Sequence, residues 1–144
     1  MSSRFYEDYK VSTVVPPEKL AKNTYSSARN FVDAAGANQL CFTFMLSSLK
    51  AGSSLTTELY GATQPDGSDA ITVNGTFIDV STDIDDFKLF VTLHPAEKYR
   101  YYSAKMKHFN DTETMAQALA VTEPIHKDGR SFAIDVMAET WRDN

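Results

Sequence analysis

From about residue 26 onward the apolar positions of the chain repeat with a period of two. In Gln39-Leu40-Cys41-Phe42-Thr43-Phe44-Met45-Leu46 one face collects Leu40, Phe42, Phe44 and Leu46, and the other Cys41, Thr43 and Met45. That is the alternation of a strand with a heavily apolar inner face. Ser54-Leu55-Thr56-Thr57-Glu58-Leu59-Tyr60 predicts a second strand, and Lys50-Ala51-Gly52-Ser53 the turn between them. Pro65-Asp66-Gly67-Ser68-Asp69 is a dense turn signal. Short strands are expected at Ile71–Val73 and Thr76–Val80, joined by Asn74-Gly75, a pair that tolerates positive φ and suits a two-residue hairpin. Phe87–Leu93 reads as a further strand ending before His94-Pro95, and Tyr99–Phe109 is β-rich at its start.

Two stretches are ambiguous. Across Met115–Thr122, Ala116, Ala118 and Ala120 favour helix, whereas Met115, Leu119 and Val121 fit either period; the strand-rich surroundings select a strand. Ser131–Val136 alternates like a strand, and Ala138–Arg142 reads as a helical turn. Residues 1–25 are different in kind. They are polar and irregular, Pro16-Pro17 fixes an extended stretch, and Glu18–Ala21 fits one helical turn. Phe5, Tyr6 and Tyr9 are aromatic anchors on this segment, which has too few apolar residues for a core of its own. It must either stay mobile or dock. The organisation expected is therefore an extended arm at 1–25 and a β-sandwich domain with a C-terminal tail at 26–144. Seven or eight short strands with turn chemistry between them predict an all-β, antiparallel, jelly-roll-like sandwich.

Composition narrows the function. At 144 residues the chain suits one domain, and 42% hydrophobic residues are enough for a core. A formal charge of −5 argues against nucleic acid as the main partner, since a duplex binder gathers Lys and Arg against phosphates. No apolar run approaches the ~18 residues of a membrane span, so no membrane partner is expected. The N-terminus shows no apolar signal core, and a lone cysteine, Cys41, has no internal partner. Both predict synthesis and folding in a reducing cytoplasm.

Little in the sequence carries chemistry. There is no Gly-x-Ser-x-Gly elbow, phosphate-cradling glycine loop or zinc spacing, and His94, His108 and His126 lie in no recognisable catalytic context. Asp66 with Asp69, and Asp83 with Asp85 and Asp86, fit turns better than a calcium loop. No enzyme, cofactor or metal is expected. Lys105, Lys107 and His108 form a basic trio near Lys98 and Arg100. It reads either as a solvated, edge-protecting strand face or as a contact for an acidic partner. Tyr99, Tyr101 and Tyr102 beside Arg100 are residue types favoured at interfaces and equally common as sheet packing.

The order of these pieces carries a resemblance. A polar arm leads into Asn23-Thr24-Tyr25-Ser26, the apolar strand Leu40-Cys41-Phe42-Thr43-Phe44 follows, and Tyr60–Ser68 ends in a turn-rich loop. The aromatic–Arg strand Lys98-Tyr99-Arg100-Tyr101-Tyr102 and the small-residue strand Ala116–Val121 close it. Over roughly residues 23–122 the chain resembles the jelly-roll decoration (cement, head-stabilising) proteins of tailed bacteriophages. The Ala-rich segment and long C-terminal tail depart from that pattern. The resemblance implies a non-enzymatic virion protein on the capsid exterior, a homotrimer bound to the major capsid protein. Its expected interface residues are Phe5, Tyr6 and Tyr9 on the arm, and Tyr99, Arg100, Tyr101, Tyr102, Lys105 and Lys107 on the sandwich. A carbohydrate-binding sandwich with stacking Tyr and Trp141, and a tail or neck structural protein, are the competing expectations.

Overall fold

The computed structural model describes residues 10–26 and 30–124. Phe5, Tyr6, Tyr9, His126, the expected strand 131–136 and Trp141 lie outside the described residues. Eight strands form: β1 (Lys10–Leu20), β2 (Val32–Asp33), β3 (Ala37–Leu49), β4 (Ser54–Ala62), β5 (Ile71–Asp79), β6 (Ile84–Leu93), β7 (Tyr101–His108) and β8 (Thr114–Pro124). They make two four-stranded antiparallel sheets, ordered β1-β8-β3-β6 and β2-β7-β4-β5. The pairs β1·β8, β2·β7, β3·β6 and β4·β5 are nested, so the chain is one long hairpin rolled into a barrel-like sandwich. This is the jelly roll.

The strand β3 anchors the core as its alternation predicts, with Leu40, Phe42, Phe44 and Leu46 all at most 2% exposed. Beside it, β8 places Ala120 opposite Phe42, Ala118 opposite Phe44 and Ala116 opposite Leu46. The three alanines, all 0% exposed, are thus the inward row of a strand. Their helix propensity is overridden because only small side chains fit beside the two phenyl rings.

Three local expectations are corrected. Glu18–Ala21 is not a helical turn, since β1 continues to Leu20. Its register with β8 jumps from Val15↔Ala118 to Glu18↔Ala116. Pro16 and Pro17, which have no N–H to donate, sit in this bulge of an edge strand, where the ladder tolerates them. Residues 10–20 therefore dock on their own sandwich, with Val14, Val15 and Leu20 buried in the core. Secondly, Asn74-Gly75 does not turn a hairpin, because β5 runs unbroken through it. A register shift at Leu59/Tyr60 opposite Asn74 marks a bulge, and Asn74 Oδ1 accepts the Gly75 N–H at 2.7 Å. Thirdly, His108 does not join a basic surface. It is 0% exposed, its Nε2 lies 2.7 Å from the Leu20 carbonyl, and its Nδ1 accepts the Asn110 N–H at 3.0 Å. These bonds fix the neutral tautomer with the proton on Nε2, and tie the end of β1 to the end of β7.

Candidate functional site on the outer face of the second sheet

Alternation along β7 sorts the sequence's candidates onto two faces. Tyr102, Ala104, Met106 and His108 point inward and are buried, whereas Tyr101, Lys105 and Lys107 point outward and are half-buried. The β4·β7 register sets Glu58 across from Lys105 and Thr56 across from Lys107. The segment after β1 then runs beside β7: the Ser26 N–H donates to the Met106 carbonyl at 2.9 Å, and the Met106 N–H donates back to Ser26 Oγ at 3.3 Å. That pairing delivers Tyr25 to the outer row.

The result is an ordered cluster. Lys105 Nζ lies 4.0 Å from the centre of the Tyr25 ring and Lys107 Nζ 4.6 Å from it. The same ammoniums reach Tyr60 at 5.5 Å and Phe109 at 5.6 Å. These are cation–π distances. The Tyr25 hydroxyl donates to Glu58 Oε2 at 2.7 Å and the Tyr60 hydroxyl to Oε1 at 2.6 Å, with Lys105 Nζ 4.0 Å from Oε1. The Tyr60 and then the Tyr25 hydrogen bond hold the Glu58 carboxyl below its usual range. Burial, followed by the bond to Glu58, pushes Tyr25 up to about 12. Both groups move away from neutrality, so the cluster is not poised to exchange protons near pH 7. It is instead a preorganised surface of cations and rings. Next to it Phe77, across from Thr56 on the edge strand β5, is 64% exposed.

The remaining candidates separate. Tyr102 belongs to the core at 1% exposure, its hydroxyl taking the Ala96 N–H at 2.8 Å. Tyr99 packs on Gly61, where an added Cβ would come within 2.9 Å of its ring. The Arg100 guanidinium grips Asp33 with Nε and Nη2 each at 2.8 Å, tying β2 to the start of β7, and lies 5.4 Å from the Tyr101 ring centre. The aromatic–Arg run is thus one outward tyrosine, one core tyrosine, one packing ring and one internal ion pair. Tyr25, Glu58, Tyr60 and Phe77 were not legible as members of a site. For Glu58 and Tyr60 the signal was their shared outward parity with Thr56; for Tyr25 no local signal exists. Cys41 is buried, which pushes its thiol up to about 11, and it is inert as a nucleophile. Among the described residues, no three His, Cys, Asp or Glu side chains are grouped to hold a metal.

No protein-family model matches the chain, and no curated protein matches it in sequence. Solved structures superpose on it to differing extents. The PBSX exported protein XepA superposes with a TM-score of 0.56 at 10% identity, over 84% of this chain and 39% of XepA. The infectious bursal disease virus Gx strain structure gives 0.49 at 12% identity, over 83% and 32%. A Bacillus endospore appendage protein gives 0.42 at 11% identity, over 83% and 90%. The chain spans about two-fifths of XepA and about a third of the viral chain. At such identities the likeness is one of architecture: the chain has the antiparallel β-sandwich fold found in XepA.

Proposed function

We propose that this chain is a non-enzymatic structural protein of a virion, a decoration (cement) protein of a tailed bacteriophage. In this reading it is made in the host cytoplasm and binds the major capsid protein lattice on the outside of the head as a homotrimer. The observation that carries the reading is the jelly roll with its nested strand pairs, an architecture used repeatedly by viral capsid proteins. The fold supports many functions, so the surface must supply the rest. It offers the exposed ring of Phe77 next to Tyr25 and Tyr60, aromatic types enriched at interfaces, with two ordered ammoniums that can orient a charged partner. A sugar stacks on a free aromatic face, and the Tyr25 ring already carries two ammoniums, which favours the protein-docking reading over the carbohydrate one.

Phe5, Tyr6 and Tyr9 are assigned in the same reading to contacts with a neighbouring subunit or the shell, and Tyr101, Lys105 and Lys107 to the sandwich interface. The test is co-sedimentation with empty shells of the major capsid protein encoded in the same genome. Saturable binding is expected, weakened by deleting residues 2–9, which spares β1. Shells that stay bare at saturating protein, or binding confined to isolated tails, would refute the reading.

A further inference from the structure

We propose that the Lys105–Lys107 face takes a second copy of this chain, which presents to it the acidic corner between β5 and β6. The inference rests on the reading of a self-associating virion protein and names the surfaces through which the copies meet. Lys105 and Lys107 stand in one outward row, their ammoniums held at 4.0 and 4.6 Å from a shared ring, and Glu58 offsets one of the two charges. The occupant's chemistry is set by charge. A chain of net −5 concentrates exposed Asp79, Asp83, Asp85 and Asp86 at the β5–β6 corner. The corner has a fixed shape: Asp83 Oδ1 accepts the Ala51 N–H at 2.8 Å, and Asp86 holds a left-handed backbone at φ 51°.

Exposed ion pairs contribute little by themselves. The apolar anchor is Phe77, 64% exposed beside the lysine row, while the charges set register and orientation. Because the two patches differ, the contact can be heterologous as well as reciprocal about a two-fold axis. Copies joined heterologously close into a ring where the rotation allows, and a three-fold ring is the smallest such assembly beyond a dimer.

The experiment is light scattering on a sizing column across protein concentration and ionic strength, with far-UV circular dichroism to confirm folding. It uses the full chain, Lys105→Glu/Lys107→Glu, Asp79→Lys/Asp85→Lys and Phe77→Ser. Asp83 and Asp86 are left alone because they shape the corner. The wild type is expected to associate, and each reversed pair to weaken association about tenfold or more. Phe77→Ser should weaken association at every ionic strength. A wild type that stays monomeric up to its solubility limit overturns the inference. So does association unchanged by the lysine reversal, or unchanged by the aspartate reversal in a folded variant. Shell binding is scored separately. A monomer that coats shells ends this inference and leaves the virion reading standing, whereas an associating chain that ignores shells ends the reading.

Discussion

Replacing Ala118 by Val sets two forces against each other. By strand propensity the change favours folding, since Val outranks Ala on a scale spanning about 1 kcal/mol. Packing opposes it. Ala118 is 0% exposed, and its cross-strand neighbours Phe44 on β3 and Val15 on β1 are 0% exposed as well. Two added methyl carbons meet an interior packed at about 0.74 density, and overpacking of that kind costs about 1–3 kcal/mol. Packing wins, for a net loss of about 1–2 kcal/mol. In a chain of 144 residues that lowers Tm by roughly 2–8 °C. Urea unfolding of both chains should show a lower midpoint at unchanged slope. The control is Gln117→Val, one residue along on the half-buried outer face, where propensity acts without the packing penalty and stability should hold or rise. A wild-type or higher midpoint for Ala118→Val would refute the idea that inward parity, not composition, makes this segment a strand.

Four further outcomes follow from single contacts. Gly67→Ala should destabilise the chain by at least about 1 kcal/mol in calorimetry, because Gly67 sits at φ +73° and a Cβ there would lie 2.2 Å from the Phe31 ring. His108→Leu removes both partners' bonds and leaves the Leu20 carbonyl and Asn110 N–H unpaired; a loss of about 2–4 kcal/mol in denaturant unfolding is expected. Arg100, then the Ala35 N–H, holds the Asp33 carboxyl down to about 2. A depressed folded value gives stability that is present above about pH 4 and lost as pH falls toward 2. Thermal unfolding of Asp33→Asn should therefore show a shallower acid decline than the wild type. Tyr25, raised to about 12, is favoured as the neutral phenol by folding, so its contribution is present below about pH 10 and is lost as pH climbs through about 12. An ultraviolet titration should lose this late tyrosinate step in Tyr25→Phe.

What the sequence disclosed followed the range of the interaction involved. The period of two located β3, β4 and β6, because burial on one face is written locally in alternating residues. The turn at Gly52, with φ +81°, was legible for the same reason. Asn74-Gly75 misled because the pair fits both a hairpin and a bulge, and the choice depends on the partner strand β4. The polarity of residues 10–20 reflected an edge strand that buries only part of its surface, and the prolines read as an extended stretch lie at its bulge. The outward cluster was only half visible. Lys105 and Lys107 share a parity that the sequence shows, but Tyr25 reaches Glu58 across 33 positions, a meeting that depends on the roll of the whole chain. Arg100 looked like a free interface cation, and only the fold reveals Asp33, 67 positions away, as its partner.

The measurement that tests the central claim most directly is electron cryo-microscopy of empty shells of the cognate major capsid protein, incubated with saturating chain. The expected result is added density on the outer surface where capsid subunits meet, in groups of three, each fitting one eight-stranded sandwich with β1 as an edge strand. Bare shells, or density restricted to the neck or tail of complete particles, would contradict it.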